Sequence, residues 1–433
     1  MGISEDVREN PNSKLQAMYK NKVLPYVVLV LVFLIVVVPL ILKPEIDIYD
    51  ARDETSFHYP TILNFLDQFP ALELANYRSA TTPLYHVILM FAAQLLGPSI
   101  VQLRLISSIF SLGCLLVFYG YLSKRGDSRK AFIFAALLLF SPYFIGPAVR
   151  LSTDNAALLL AIASIYTMEA GSPNTKNFLL TNVFILGTVL IRQVYAWLVG
   201  AYVLFNIVRN KLRGIQWVSM LFPTLIPIGG LAYFVFLWDG LTPPPFAGHF
   251  SYGLNWDVPV FIVSLVGLYG LFFSPWYFKL YKQDSRLLPF VVLMGFAIGY
   301  LLLHPVSNQY PVVDGSIFYR GGALWLIASR LPNFLSSAIV FWFLFPMGLG
   351  CLYLMARYLA SRREYLMMIC FTLWLAANVT NKDTYQKYYE PFLLLLLGYV
   401  VATIKIDREK VAWIGPLILL AGFVGIAITR FFL

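Results

Sequence analysis

Long uninterrupted apolar runs alternate with short polar connections along the whole chain, and many of the runs approach 20 residues, the length a helix needs to cross roughly 30 Å of hydrocarbon. Taken in order, they predict about 13 spans, near residues 24–42, 100–123, 131–148, 155–170, 178–191, 194–208, 217–238, 258–278, 287–303, 335–356, 366–379, 389–404 and 411–429. Several are short or interrupted by Pro and Gly, so their edges are soft. In the first polar stretch, "FHYPTILNFLDQF" and "PLYHVILMFAAQLLG" are too short for spans and suit amphipathic helices lying at the membrane interface.

Composition fits this pattern. Of 433 residues 59% are hydrophobic and 12% charged, against about 25% charged in a soluble domain. No soluble domain of ordinary size fits between the runs, and no repeat or linker divides the chain. The expected fold class is an all-α, multi-pass integral membrane protein.

A formal charge of +10 raises the question of nucleic acid, but the cations sit in short loops such as "KRGDSRK", "RNKLR", "RYLASRR" and "KIDREK". That distribution argues against a nucleic-acid partner and reads as topology. With the N-terminus in the cytoplasm, most of the 32 Lys and Arg lie inside, as the positive-inside rule requires. The C-terminus then faces the other side, and the outside loops are 43–99, 239–257, 304–334 and 381–390.

The polar tail 1–23 precedes a long first run with no small-residue cleavage site, so that run is read as a retained span. The initial "MG" matches a myristoylation signal poorly, because Asp6 stands where Ser or Thr is wanted. Cys114, Cys351 and Cys370 lie in or beside apolar runs without metal or redox spacing and are read as core packing.

The unusual polar chemistry collects on the outside. Asp53 and Glu54 follow the first span, together with Asp47 and Asp50. A carboxylate there can act as general base toward a sugar hydroxyl within hydrogen-bond reach, although an isolated Asp-Glu pair is also what a solvated loop carries. Arg150 and Asp154 lie between two apolar runs, either as a structural pair or as site residues. Arg192 and Gln193 interrupt "GTVLIRQVYAWLVG", where an arginine fork could bind a phosphate bidentately. Lys387 and Tyr388 open the last outer loop's span, either as an interfacial anchor or as a phosphate contact. The four histidines, His58, His86, His249 and His304, have no zinc-ligand spacing. His58 lies four residues after Glu54, near enough to share a helical face, and His249 follows the rigid "TPPPFAG". There is no Walker loop or nucleotide-binding glycine motif.

These residues resemble a family. "DETSFHYP", "TTPLYHVILMFAAQLLG", "VQLRLISSIFSLGCLLVFYGYL" and "SPYFIGPAVRLSTDNAALLLA" together are similar to the N-terminal module of GT-C glycosyltransferases, multi-span enzymes that use polyprenyl-phosphate sugars. The similarity covers about the first 200 residues. Within that superfamily the pattern is similar to the DIE2-type alpha-1,2-glucosyltransferases, which add the last glucose to a dolichol-linked oligosaccharide. A bacterial relative acting on a cell-envelope glycan would share it. The departures are Lys387 in place of an Arg, and "VVDGSIFYRGG", in which only Asp314 and the Phe318 and Tyr319 pair look comparable.

The resemblance implies a GT-C fold with a catalytic module over 24–208 and a second transmembrane module over 209–433. It implies Asp53 as base, with Glu54 either hydrogen-bonding the acceptor or holding a cation. Arg192, Lys387 and Tyr388 would bind the donor phosphate, and His58, Arg150, Asp154, Gln193 and His249 would orient sugar or acceptor. No cofactor is required; the acids near Asp53 permit a divalent cation, but no spacing demands one. The partners would be a polyprenyl-phosphate sugar, a lipid-linked glycan acceptor and membrane lipid, in the endoplasmic reticulum or a bacterial or archaeal cytoplasmic membrane. A sugar or lipid transporter and a non-catalytic glycan-binding subunit are the competing classes; the chain lacks the paired broken helices at matching positions of two halves that mark many transporters.

Overall fold

The computed structural model describes residues 23–43, 52–170, 174–210, 215–249, 253–283, 286–309, 312–313, 316–317, 319–406 and 409–431. The tail before Val23 and the residues Asp47, Asp50, Asp314 and Phe318 lie outside the described residues. The fold is all-α, and its described strands are three two-residue pairs in the loops.

Every apolar run has become a helix or a bent pair of helices. Among the described residues five helices are individually long and apolar enough to cross a membrane, or up to seven spans if each bent pair counts as one. Five shorter apolar helices lie beside them, including Thr175–Ile191, Leu287–Leu303 and Glu390–Thr403. By length, therefore, the expected 13 runs do not resolve into 13 full spans.

The breaks have local causes. Ser141 is extended ahead of Pro142, as the residue before a proline prefers, and its side chain caps the next helix by accepting from the Tyr143 N–H. Ser128–Phe140 and Pro142–Val149 consequently meet at 61°. Arg192 likewise leaves helical geometry between Thr175–Ile191 and the 3-10 turn Gln193–Ala196. That break carries a charge out of two apolar helices.

The surface is apolar where lipid would lie: Phe236 is 90% and Leu303 78% exposed. Water would penalise such faces, whereas hydrocarbon does not. Inside, close helix contact depends on small residues. Asp257–Phe272 packs on Ile339–Ser361 with Gly267 against the Leu344 carbonyl and Gly348 against the Val263 carbonyl. A Cβ at either glycine would collide with backbone, the same constraint that places small residues at membrane helix interfaces.

Ile100–Arg125 and Asp154–Ala170 run from one end of the bundle to the other. At the far end of both, Arg125 pairs with Glu169, and the Asp127 N–H and Lys130 Nζ donate to the carbonyls of Ala402 and Ile404. At the same end Arg209 Nη1 donates to the Met168 and Glu169 carbonyls. At the near end the longer loops interlock. The Asn255 amide donates to the Asn381 and Lys382 carbonyls, Trp238 Nε1 donates to Leu74 O, and Phe57 meets Phe246 edge to face.

Gly348→Val should lower stability by about 2 kcal/mol, the usual cost of overpacking a tight contact. Gly295, in Leu287–Leu303, has nothing within 4 Å of a built Cβ, so Gly295→Ala should leave stability unchanged or slightly raised. Thermal unfolding of the purified variants in detergent checks the contrast.

Candidate active site

Asp53 directly precedes a five-residue π-helical turn, Glu54–His58, that leads into Tyr59–Gln68. Such wide turns often occur where side chains must be aimed. What fixes this one is Glu54. Its carboxylate, 1% exposed, takes both arms of Arg104, at 2.9 Å from Nε and 2.5 Å from Nη2, and a third hydrogen bond from the Leu151 N–H at 2.8 Å. Glu54 is thus engaged by three protein donors and, unlike Asp53, is not among the residues that line the cavity. It aims Asp53 instead.

Lys387 arrives from the other end of the chain on the short turn Gln386–Tyr388. The strand Thr384–Tyr385 just before it pairs in parallel with Arg320–Gly321. Gln386 Oε1 accepts from the Leu324 N–H at 3.1 Å, and its Nε2 donates to Glu390 at 2.7 Å. Glu390 is completely buried and also accepts from the hydroxyls of Ser141 and Tyr269. So held, Lys387 Nζ donates to Asp53 Oδ2 at 3.0 Å.

A second ion pair stands beside the first. Arg192 pairs with Asp154, which sits in the first turn of Asp154–Ala170, where a negative charge favours the helix dipole. Ser152 Oγ donates to Asp154 at 2.9 Å. Asp154 is therefore paired with Arg192. The Tyr388 ring links the two cations, with the Arg192 guanidinium 5.0 Å and Lys387 Nζ 5.2 Å from its centroid, within cation-π range.

These groups surround a cavity of about 210 Å³ lined by Asp53, His58, Asp154, Arg192, Lys387 and Tyr388 among others. Electrostatics hold the Asp53 and Lys387 pair in its charged form. Burial pulls the Asp53 carboxyl upward, but the Lys387 charge and hydrogen bond, with His58 and Arg150, outweigh it and hold Asp53 below the usual carboxylate value. Burial works to lower Lys387, yet Tyr388 and Asp53 more than compensate, so its ammonium is held above the ordinary lysine value. Burial pushes His58 down to about 4, with Lys387 and Arg192 adding to the fall and Asp53 opposing it. His58 is a neutral imidazole at pH 7.

Gln193, Arg150 and His249 complete the expected set. Gln193 has a wall position, but its amide is used up: Nε2 donates to the carbonyls of Ala80 and Leu241, and Oε1 accepts from the Thr82 N–H. It ties two loops together, with both of its amide N–H groups already donated to backbone carbonyls. Arg150 caps Pro142–Val149, with its Nε 3.3 Å from Gly146 O, and reaches Asp53 through its field. His249 closes the turn Pro244–His249, and its side chain lies outside the described residues. Among the described residues no three His, Cys, Asp or Glu side chains gather as a metal ion would need.

The sequence reading missed Arg104, His86, Gln386 and Glu390, which hold the site residues in place. A signal existed for Arg104: a charge inside an apolar run is costly without a counter-ion. None marks the wall residues Tyr143, Trp374 and Asn381.

Arg104→Leu should strand the Glu54 charge and cost about 3–5 kcal/mol, whereas the double change with Glu54→Leu should recover most of that loss. Thermal unfolding of the two single variants and the double variant measures the coupling.

No family model matches the chain, and no curated protein does. Among solved structures, the chain is similar to ArnT from Cupriavidus metallidurans in the apo state, at 14% identity and a TM-score of 0.40 over 87% of this chain and 77% of that one. It is also similar to ArnT from Cupriavidus metallidurans bound to undecaprenyl phosphate, at 13% identity and a TM-score of 0.41 over the same shares.

Proposed function

We propose that the chain is an inverting glycosyltransferase that moves a hexose from a polyprenyl-phosphate sugar to a lipid-linked glycan, at the outer or lumenal membrane face. The observation that carries this reading is the Asp53 and Lys387 pair in a cavity that also holds Arg192. It combines a base with two phosphate-binding cations at one end of a membrane bundle. The GT-C resemblance of the first 200 residues supports it independently, and that resemblance names glucose as the hexose and a dolichol-linked oligosaccharide as the acceptor.

In this reading the donor phosphate enters beside Lys387 and Arg192, with its polyprenyl tail in the bilayer. Asp53 takes the proton of the acceptor hydroxyl as that oxygen attacks the anomeric carbon. The bond from that carbon to the phosphate oxygen breaks, its electron pair stays on the phosphate, and the configuration inverts. Lys387 and Arg192 meet the charge that develops there, an effect strengthened in a site partly shielded from water. Lys387 has a double duty. As it turns toward the phosphate it releases Asp53, whose pKa then climbs and makes it a better base.

Purified protein supplied with a panel of polyprenyl-phosphate hexoses and glycolipid acceptors tests this. Asp53→Asn should cut turnover about a hundred- to ten-thousand-fold, the range for loss of a general base; retained turnover would rule the base out. The pH profile supplies a signed test. Lys387 depresses both Asp53 and His58, and activity needs Asp53 ionised. Lys387→Met should therefore move the acid limb of kcat/KM to higher pH, besides lowering its maximum.

A further inference from the structure

His58 and His86 form a pair that the reaction above does not use. His58 Nδ1 lies 2.9 Å from His86 Nε2, and the two rings stack with centroids 5.2 Å apart at 26°. His86 is 0% exposed, walled by the rings of Tyr77 and Tyr85. Its other nitrogen, Nδ1, is buried with no hydrogen-bond partner. His58, by contrast, lines the cavity, so with Nδ1 turned inward its Nε2 is the nitrogen on the cavity side.

Two arrangements of protons satisfy a bond between neutral imidazoles. If His58 Nδ1 donates, His86 must carry its own proton on the buried, unpartnered Nδ1. If His86 Nε2 donates, that buried nitrogen is a bare lone pair. An orphaned N–H is the costlier of the two, since buried donors without partners are rarer than buried acceptors without them. We infer that His86 is a positioning residue: its Nε2–H fixes the tautomer of His58, so that His58 presents an Nε2–H donor to an oxygen of the ligand in the cavity. No second proton is needed, and the pair passes none on; it sets which end of His58 donates.

The identity of that oxygen, on the sugar or the phosphate, rests on the glycosyltransferase reading, whereas the tautomer does not. Two-bond proton–nitrogen spectra of the full-length protein with labelled histidine, in nanodiscs at neutral pH, read it directly. His58→Gln and His86→Gln assign the signals. Both rings should carry the proton on Nε2; protonated Nδ1 on both would overturn the inference, whatever the protein does.

Activity provides the second arm. His86→Phe keeps the ring but not the donor and should lower turnover about ten-fold, the effect of one lost hydrogen bond. His86→Gln, whose amide can donate from the same place, should restore most of it at equal thermal stability. Equal turnover in His86→Phe and the unaltered protein would overturn the positioning role. Should no polyprenyl-phosphate donor turn over at all, the proposed function fails while the spectra still decide the tautomer.

Discussion

The ion pair between Lys387 and Asp53 joins residues 334 positions apart, and the other contacts at this end of the bundle serve to make that meeting possible. A lysine and an aspartate at a membrane surface would gain little from pairing in open water. Here each is delivered by a rigid support. Glu54, clamped by Arg104 and the Leu151 N–H, fixes the turn behind Asp53. Glu390, receiving Ser141, Tyr269 and Gln386, fixes the turn that bears Lys387. Two buried carboxylates thus hold in place the Asp53 carboxylate, which stays accessible.

The balance of charge in the cavity follows the same logic. Arg192 and Asp154 repeat the pairing a short distance away, with Tyr388 between the two cations. An apolar bundle tolerates such charges when each has a partner. Partnered charges at a cavity wall are also exchangeable: a phosphate can take the place of a carboxylate against the same cation. The carboxylate so displaced is then free to accept a proton. In the proposed reaction one shared lysine couples binding to activation, in keeping with the wider rule that catalytic groups and the groups that perturb them occur together.

Much of the fold was legible because hydrocarbon imposes a simple requirement, a run of apolar residues long enough to span it. The interruption at Arg192 was legible too, whereas the break at Pro142 falls inside a run read as a single span. The pairings were not. Nothing in the spacing tells Asp154 to pair with Arg192, because the pairing is made by how the Asp154–Ala170 and Thr175–Ile191 helices lie side by side. Glu54 looked like half of an exposed acidic pair, yet adjacent residues on a turn point different ways, and it went inward while Asp53 went out. Gln193, next to a phosphate candidate in sequence, is occupied with backbone amides. Arg104 was the clearest missed signal, as a charge within an apolar run needs a counter-ion.

The most direct test of the shared lysine is equilibrium binding of a short-chain polyprenyl phosphate to the purified protein and to two variants. Lys387→Met should bind it more weakly. Asp53→Asn should bind it more tightly than the unaltered protein, because the carboxylate that competes for Lys387 is gone. Loss of binding in Asp53→Asn would contradict the account, since Asp53 would then be part of what holds the phosphate.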